Sequence, residues 1–207
     1  MADSYSVLVA DADRNCADGI ALLLNRHGVE ASSTYDGRDA IMLADRLRPR
    51  AVVMDTQLPT VSGYEAAHEL RRKFGPSVRL VAYTVPVASA ERMRIAQAGF
   101  DAWAPKTTQP LELLRVMSPV VHETVLKSIR VNLRQMRNQL TLAASLLDHA
   151  EIAADSRVRG GIENFLGTRI DGVVTSMARI PIDPDERAEL WAQIEALRLR
   201  VQQYGAG

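Results

Sequence analysis

Four residues with side chains suited to phosphoryl chemistry stand at the ends of short apolar runs in the first half of the chain. Asp11 closes the run VLVAD, and Asp55 closes AVVMD. Thr84 closes RLVAYT, and Lys106 follows AWAP. Two carboxylates suit a hard cation such as Mg²⁺, which prefers oxygen ligands and keeps several waters. A carboxylate oxygen of Asp55 could then attack a phosphoryl group whose charge Mg²⁺ and Lys106 neutralise.

Five short strands that alternate with five helices are predicted to position these residues. The strands are expected at 6–10, 29–34, 51–54, 79–84 and 102–104, and the helices near 14–27, 37–48, 63–74, 88–98 and 109–117. This alternation predicts an α/β fold with a five-stranded, doubly wound parallel sheet. Ligands of such sheets bind at the carboxyl ends of the strands, so the four residues are expected to meet there.

Each of the four residues also has an ordinary structural explanation. An acid at a strand end often caps the next helix, a threonine is common in strands, and a lone lysine is usually solvated. The arrival of all four at the same predicted edge of the sheet favours a shared site.

Residues 5–117 resemble the CheY-like receiver domain of two-component response regulators. The matching segments are VLVADAD, VVMDTQLPTVSGYEA, LVAYT and GFDAWAPK, in that order. The resemblance implies a flavodoxin-like fold with Asp55 as phosphoacceptor and Asp11 in the acidic pair around Mg²⁺. It also implies Thr84 as the switch hydroxyl and Lys106 as the lysine that pairs with the phosphoryl group. The chain would then be a signalling phosphoprotein rather than an enzyme, with a sensor histidine kinase as its phosphodonor.

Several positions depart from the receiver pattern. Ala12 stands where the family usually has the second acid of the pair, which leaves Asp13 as the candidate to complete the metal site. Trp103 replaces a switch residue that is usually tyrosine or phenylalanine, and Thr107 replaces the proline that normally follows the lysine. The change at Ala12 leaves open a pseudo-receiver that folds but is not phosphorylated.

The strand-like runs stop at Ser118, and residues 118–207 are predicted to form a separate all-α module after a first domain at 1–117. Apolar residues at steps of three and four form a seam on the first helix: Leu126, Ile129, Leu133, Met136, Leu140, Ala143 and Leu147. A second helix is expected over 157–179, with core candidates Val158, Ile162, Phe165, Val173, Met177 and Ile180, and a third over 185–204. Such spacing is typical of a helical hairpin or bundle.

Two segments of this module, QMRNQLTLAASLL and DSRVRGGIENFLGTRIDGVVTSMARI, resemble the dimerisation and phosphotransfer hairpin of one class of histidine kinases. Arg134 stands where that class has its phosphoacceptor histidine. The resemblance therefore implies a hairpin that keeps a role in dimerisation or docking without the phosphotransfer chemistry. We expect a homodimer with a four-helix bundle and a downstream protein partner, with a monomeric three-helix bundle as the alternative.

Two other functions of the module remain open. A phosphorelay transferase would use His122 or His149, although both histidines also fit structural roles. A nucleic-acid-binding regulator would use the basic residues beside the seam, which are Lys127, Arg130, Arg134 and Arg137. A first helix of about 30 residues argues against the short helices of a helix-turn-helix domain.

The composition excludes several classes of protein. The 25 Lys+Arg balance the 25 Asp+Glu, so no global charge attracts nucleic acid or an anionic membrane. The single cysteine, Cys16, excludes an intrachain disulfide. No apolar run approaches the roughly 18 residues of a membrane span, and the N-terminus lacks the features of a signal peptide. We therefore expect a soluble, cytoplasmic protein.

Overall fold

The computed structural model describes residues 5–150, 156–178 and 180–206, with side chains over 5–148, 161–178 and 180–203. Its contacts divide the chain into two compact units, Met1–Ser128 and Ile129–Gly207. No helix of the described ranges combines the length and the apolar character that crossing a bilayer requires.

The first unit has the predicted alternation of strands and helices. Its strands are β1 (Ser6–Ala10), β2 (Glu30–Thr34), β3 (Ala51–Met54), β4 (Arg79–Thr84) and β5 (Ala102–Pro105). Its helices are α1 (Arg14–Arg26), α2 (Gly37–Leu47), α3 (Gly63–Phe74), α4 (Ser89–Gln97) and α5 (Pro110–Met117), with a short 3₁₀ turn at Gly75–Ser77. All strand pairs are parallel, in the order β2-β1-β3-β4-β5. The predicted doubly wound sheet is therefore confirmed.

The topological switch point of the sheet, where successive connections begin to run in the opposite direction, lies between β1 and β3. Helix α1 connects β1 to one edge of the sheet, and the chain then returns past β1 to form β3 on its other side. All four residues of β3 are buried, which is expected of a central parallel strand covered by helices on both faces. Ligands bind in the crevice at such a switch point.

Helix α6 (Pro119–Ala150) begins at the predicted start of the helical module, but its first turns pack within the first unit. The hydroxyl of Ser128 lies 3.0 Å from Nδ1 of the buried His27, at the end of α1. The boundary between the compact units consequently lies after Ser128, about one third of the way along α6, whereas the sequence places the domain boundary at 117/118.

The second unit consists of the rest of α6 with α7 (Ser156–Met177) and α8 (Pro184–Ala206). Arg137 forms an ion pair with Glu186 at 3.1 Å, and Asp148 forms one with Arg200. Because both residue numbers rise together along the two helices, α8 runs parallel to α6. Arg137 is one of the basic residues beside the seam, and its positive charge is partly neutralised by this ion pair within the chain.

The seam of α6 is covered within a single chain. Its residues from Ile129 to Leu147 are buried, together with Leu166, Ile170, Val173 and Met177 of α7 and Leu190, Ile194, Leu197 and Val201 of α8. A second chain is therefore not needed to bury this stripe, and the seam alone gives no reason to expect a dimer. The described part of the module has the arrangement of a three-helix bundle.

Two predicted core positions of the helices are wrong by one residue. Phe165 is 47% exposed, and Leu166 is buried in its place. Leu126 is only half-buried, whereas Val125 is fully buried. With 3.6 residues per turn, either neighbour satisfies the apolar spacing, so the spacing alone does not determine the buried one. The predicted core residue Val158 lies outside the described side chains.

Candidate functional site

The two acids of the site emerge from adjacent strands at the switch point. Ala10 of β1 pairs in register with Met54 of β3, so Asp11 and Asp55 follow side by side at the carboxyl edge. The amide of Asp55 donates to the carbonyl of Ala10 at 2.9 Å, which extends the hydrogen bonding between β1 and β3 by one residue. Both residues are almost completely buried, at 2% and 8% exposed.

Each carboxylate is oriented by the amide two residues further along the chain. Asp11 Oδ1 accepts from the amide of Asp13 at 3.0 Å, and Asp55 Oδ1 accepts from the amide of Gln57 at 3.2 Å. Such turns fix the rotamers of the two acids. The remaining charged group of the site lies beside Asp55 Oδ2 and beside both carboxylate oxygens of Asp11, and it donates a hydrogen bond to Asp11 Oδ1 at 3.0 Å.

That charged group is the ammonium of Lys106, which follows β5 and reaches across the end of β4. Its Nζ lies 2.7 Å from Asp55 Oδ2 and 2.8 Å from Asp11 Oδ2. Burial lowers the pKa of Lys106, but hydrogen bonds and charge from the two acids outweigh burial and raise it above its ordinary value. Lys106 therefore stays charged, and two acids with one lysine leave a net negative site that attracts a cation.

Thr84 ends β4 and is buried beside a second threonine that the sequence did not single out. Its Oγ1 lies 3.0 Å from Oγ1 of Thr56, the residue after Asp55. The amide of Lys106 donates to the carbonyl of Thr84 at 2.7 Å, so the ends of β4 and β5 are tied together. The sequence could have identified Thr56 as a site residue, because it follows the proposed acceptor Asp55 directly at the end of a strand that neighbours β4.

The loop after Asp55 returns tightly to the start of α3. Gly63 donates its amide to the carbonyl of Thr56 at 3.0 Å. A Cβ at Gly63 would lie 2.0 Å from the carbonyl oxygen of Asp55, far inside van der Waals contact. Only glycine fits here without moving the backbone that carries the acceptor.

A family model described as the response regulator receiver domain matches residues 7–118, which include all four predicted site residues. The chain belongs to this family. Its first unit is a receiver domain of the two-component type, and this confirms the resemblance found in the sequence.

The curated relatives that match the chain are described as response regulators. The chain is similar to "Response regulator MprA" of Mycolicibacterium vanbaalenii, with 31% identity over 118 residues that cover 57% of this chain and 51% of the relative. It is also similar to "Response regulator MprA" of Mycobacterium bovis, with 27% identity over 139 residues that cover 67% of this chain and 60% of that protein. The chain thus matches between half and two thirds of the length of these relatives.

Solved structures resemble the receiver in fold. The chemotaxis protein CheY4 of Vibrio cholerae matches with a TM-score of 0.51 and 22% identity, covering 54% of this chain and 98% of that one. A putative response regulator from Chloroflexus aurantiacus matches with a TM-score of 0.51 and 21% identity, and the match covers 60% of this chain and 99% of that one. These likenesses support the receiver fold alone.

Asp13, predicted to complete the metal site, does not join the two buried acids. Its carboxylate is exposed and caps α1 by accepting from the amide of Asn15 at 2.9 Å. Among the described residues, no three His, Cys, Asp or Glu side chains form a cluster that could hold a metal. The candidate metal ligands are therefore Asp11 and Asp55, and Asp13 has a structural role.

The two remaining acids fit a Mg²⁺ ion that keeps most of its waters. Asp11 Oδ2 is buried and receives no hydrogen bond of good geometry within the described residues, although Lys106 is near. A hard oxygen with a free lone pair, next to a second carboxylate, is the kind of ligand that Mg²⁺ prefers. Ala12 supplies no third carboxylate, so the protein contributes few of the ligands of such an ion.

Cys16, on the first turns of α1, lies beside the site, whereas the sequence showed only that it excludes an intrachain disulfide. Its thiol is half-buried and hydrogen-bonds Asp11. Burial, the hydrogen bond and the charge of Asp11 raise the pKa of Cys16 to about 12. The thiol therefore stays protonated, and it adds a weak donor to the surroundings of Asp11.

The two histidines proposed for phosphotransfer gain no support from the structure. His122 is half-buried in the first turn of α6, where its amide donates to the carbonyl of Ser118 at 3.0 Å. The side chain of His149 lies outside the described residues. Phosphotransfer through either histidine stays an untested alternative.

Proposed function

We propose that the receiver is phosphorylated on Asp55 by a sensor histidine kinase and passes the signal on through its helical module. The observation that carries this proposal is the contact of Lys106 with Asp55 and Asp11 at the carboxyl edge of the sheet. Lysine beside a buried carboxylate suits the transfer of a charged group, because catalysis of phosphoryl transfer rests on positioning and charge stabilisation.

In the proposed reaction, a carboxylate oxygen of Asp55 attacks the phosphorus of a phosphohistidine on the kinase. An O–P bond forms as the P–N bond breaks, and the electron pair of the broken bond stays on the imidazole nitrogen. The product is an acyl phosphate on Asp55. Lys106 neutralises charge on the transferred group, and Asp11 and Asp55 would hold a Mg²⁺ ion that supplies further charge neutralisation when bound.

The proposed output is interaction with proteins. The resemblance of the helical module to a kinase dimerisation hairpin supports a homodimer, but the seam is already covered within one chain. The outer side of α6 still exposes Leu142 at 48% and Leu146 at 38%, one turn apart. We propose that a second copy packs on this outer side and that the dimer presents a surface to a downstream protein partner.

The proposed acceptor is tested by a mass measurement on the whole chain with acetyl phosphate and Mg²⁺. The carboxylate of Asp55 forms the new O–P bond, the P–O bond of the donor breaks, and acetate leaves. Wild type is expected to gain one phosphoryl mass, and Asp55→Asn to gain none. The exposed acid variant Asp13→Asn serves as the matched control and should be labelled. No labelling of wild type would support the pseudo-receiver, and equal labelling of Asp55→Asn would remove Asp55 as the acceptor.

A further inference from the structure

The main chain of Lys106 is held on both sides by two consecutive residues of β4. The amide of Lys106 donates to the carbonyl of Thr84 at 2.7 Å. The carbonyl of Lys106 accepts from the phenol hydroxyl of Tyr83 at 3.2 Å. The first bond uses main-chain atoms alone, whereas the second needs the hydroxyl that tyrosine has and phenylalanine lacks.

The register of the sheet explains how Tyr83 reaches this carbonyl. Tyr83 pairs with Ala104 of β5, so Lys106 follows two residues beyond its strand partner. Two residues of extended chain rise by roughly 7 Å, a displacement that a long aromatic side chain can bridge. Tyr83 is 9% exposed, and the surrounding packing restricts its ring. Burial raises the pKa of Tyr83, so the phenol keeps the proton that it donates.

The length of the Lys106 side chain makes the placement of its main chain important. Its Nζ lies 2.7 Å from Asp55 Oδ2 and 2.8 Å from Asp11 Oδ2. A flexible four-carbon stem separates this ammonium from the main chain, so any freedom of the loop is passed on to the charge. Thr107 stands where receivers usually have a proline, and the loop therefore lacks the restriction that proline places on itself and on the residue before it. Other contacts have to hold the loop.

We propose that Tyr83 is a positioning residue that fixes the main chain of Lys106 and thereby places its ammonium beside Asp55. This role rests on the proposed phosphorylation of Asp55. The hydroxyl acts through Lys106, because its bond ends on the main chain of that residue and not on the acceptor. Phosphoryl transfer depends on positioned charge, so a loosely held ammonium stabilises the transition state less. The hydrogen bond from Tyr83 takes over part of the restriction that proline supplies in other receivers.

Tyr83→Phe, which keeps the ring and loses the hydroxyl, tests this role. With acetyl phosphate and Mg²⁺, the initial rate at which the chain gains phosphoryl mass should fall by roughly five- to tenfold. The matched control Tyr35→Phe removes an exposed hydroxyl bound to Asp18 and should be labelled like wild type. Labelling of Tyr83→Phe at the wild-type rate would overturn the proposal.

A double-mutant cycle separates the positioning of Lys106 from a general loss of structure. Lys106→Met removes the ammonium, so in that background Tyr83→Phe has no charge left to misplace. The double variant should therefore be labelled at the rate of Lys106→Met, within about twofold. If Tyr83→Phe causes the same fold-loss with and without the ammonium, the hydroxyl acts on the fold in general and the proposal is wrong.

Hydrogen exchange of the unphosphorylated protein tests the contact without phosphoryl transfer. The amides of Lys106 and Thr108 donate to the carbonyls of Thr84 and Pro105, and both should exchange faster in Tyr83→Phe while the amides of β3 do not change. If wild type gains no phosphoryl mass, the proposed function fails, and this exchange still decides whether Tyr83 holds Lys106. Unchanged exchange at Lys106, or an equal acceleration throughout β3, would contradict the positioning role.

Discussion

Lys106 Nζ lies 2.7 Å from Asp55 Oδ2, although the two residues come from strands that are separated by β4. The same ammonium lies 2.8 Å from Asp11 Oδ2. Lysine thus stands between the two acids and balances one of their two charges. Two features therefore determine how strongly the site can bind a cation. One is its net negative charge, and the other is that position 12 is alanine instead of an acid.

Restoring an acid at position 12 is expected to tighten Mg²⁺ binding. Ala12→Asp supplies the carboxylate that receivers usually have there, and we expect the dissociation constant to fall by roughly tenfold, about 1.4 kcal/mol. Calorimetric titration with Mg²⁺ measures this change. Ala12→Asn, with the same shape and no charge, should bind less tightly than Ala12→Asp. An unchanged affinity in Ala12→Asp would mean that water already completes the coordination.

Cys16 is expected to resist alkylation in the folded protein. Its pKa is raised to about 12, so at pH 8 almost none of the thiol is present as the reactive thiolate. Iodoacetamide labelling at pH 8, followed by mass, should be slow in the native chain and fast in urea. Asp11→Asn removes a charge that raises the pKa and should speed native labelling. Equally fast labelling of native and unfolded wild type would contradict this protection.

His27 should make the fold less stable in mild acid. The residue is 4% exposed, its Nδ1 bonds Ser128, and its Nε2 has no hydrogen-bond partner among the described residues. Burial, with a smaller effect of Arg26, lowers the pKa of His27 in the folded state. The unfolded chain therefore binds this proton first, and stability falls as pH drops below the ordinary value of 6.5.

Urea unfolding at pH 7.5 and at pH 5.5 measures this dependence. The stability of His27→Gln should fall less between the two pH values than that of wild type. His68→Gln, which changes an exposed histidine of α3, is the matched control and should follow wild type. If the stability of His27→Gln falls as much as that of wild type between the two pH values, groups other than His27 cause the acid sensitivity.

The oligomeric state should depend on the outer side of α6 and not on its seam. Leu142→Asp with Leu146→Asp places charges on exposed positions, so the bundle should stay folded while a dimer separates. Leu133→Asp with Leu140→Asp buries unpaired charges, at a cost of several kcal/mol or more, and should unfold the second unit. Light scattering and circular dichroism distinguish the two results. One chain per particle for wild type at micromolar concentration would contradict the dimer and leave the three-helix monomer.

The sequence alone was sufficient for the sheet and for the residues at its edge. Short apolar runs that end in Asp11, Asp55 and Thr84 mark strands, and parallel strands place their carboxyl ends on the same side. Lys106 was found in the same way. The helical periodicity after Ser118 likewise identified three helices, because the positions of apolar residues along one segment reflect its local geometry.

Only the tertiary structure decided which side chains meet across elements. Asp13 caps α1 while Thr56 bonds Thr84, and both outcomes depend on strand order, register and rotamer rather than on local pattern. In the same way, α8 covers the seam of α6, which spacing along α6 could not reveal. Periodicity tells which face of an element is apolar, but the partner of that face is chosen by long-range packing of the whole chain.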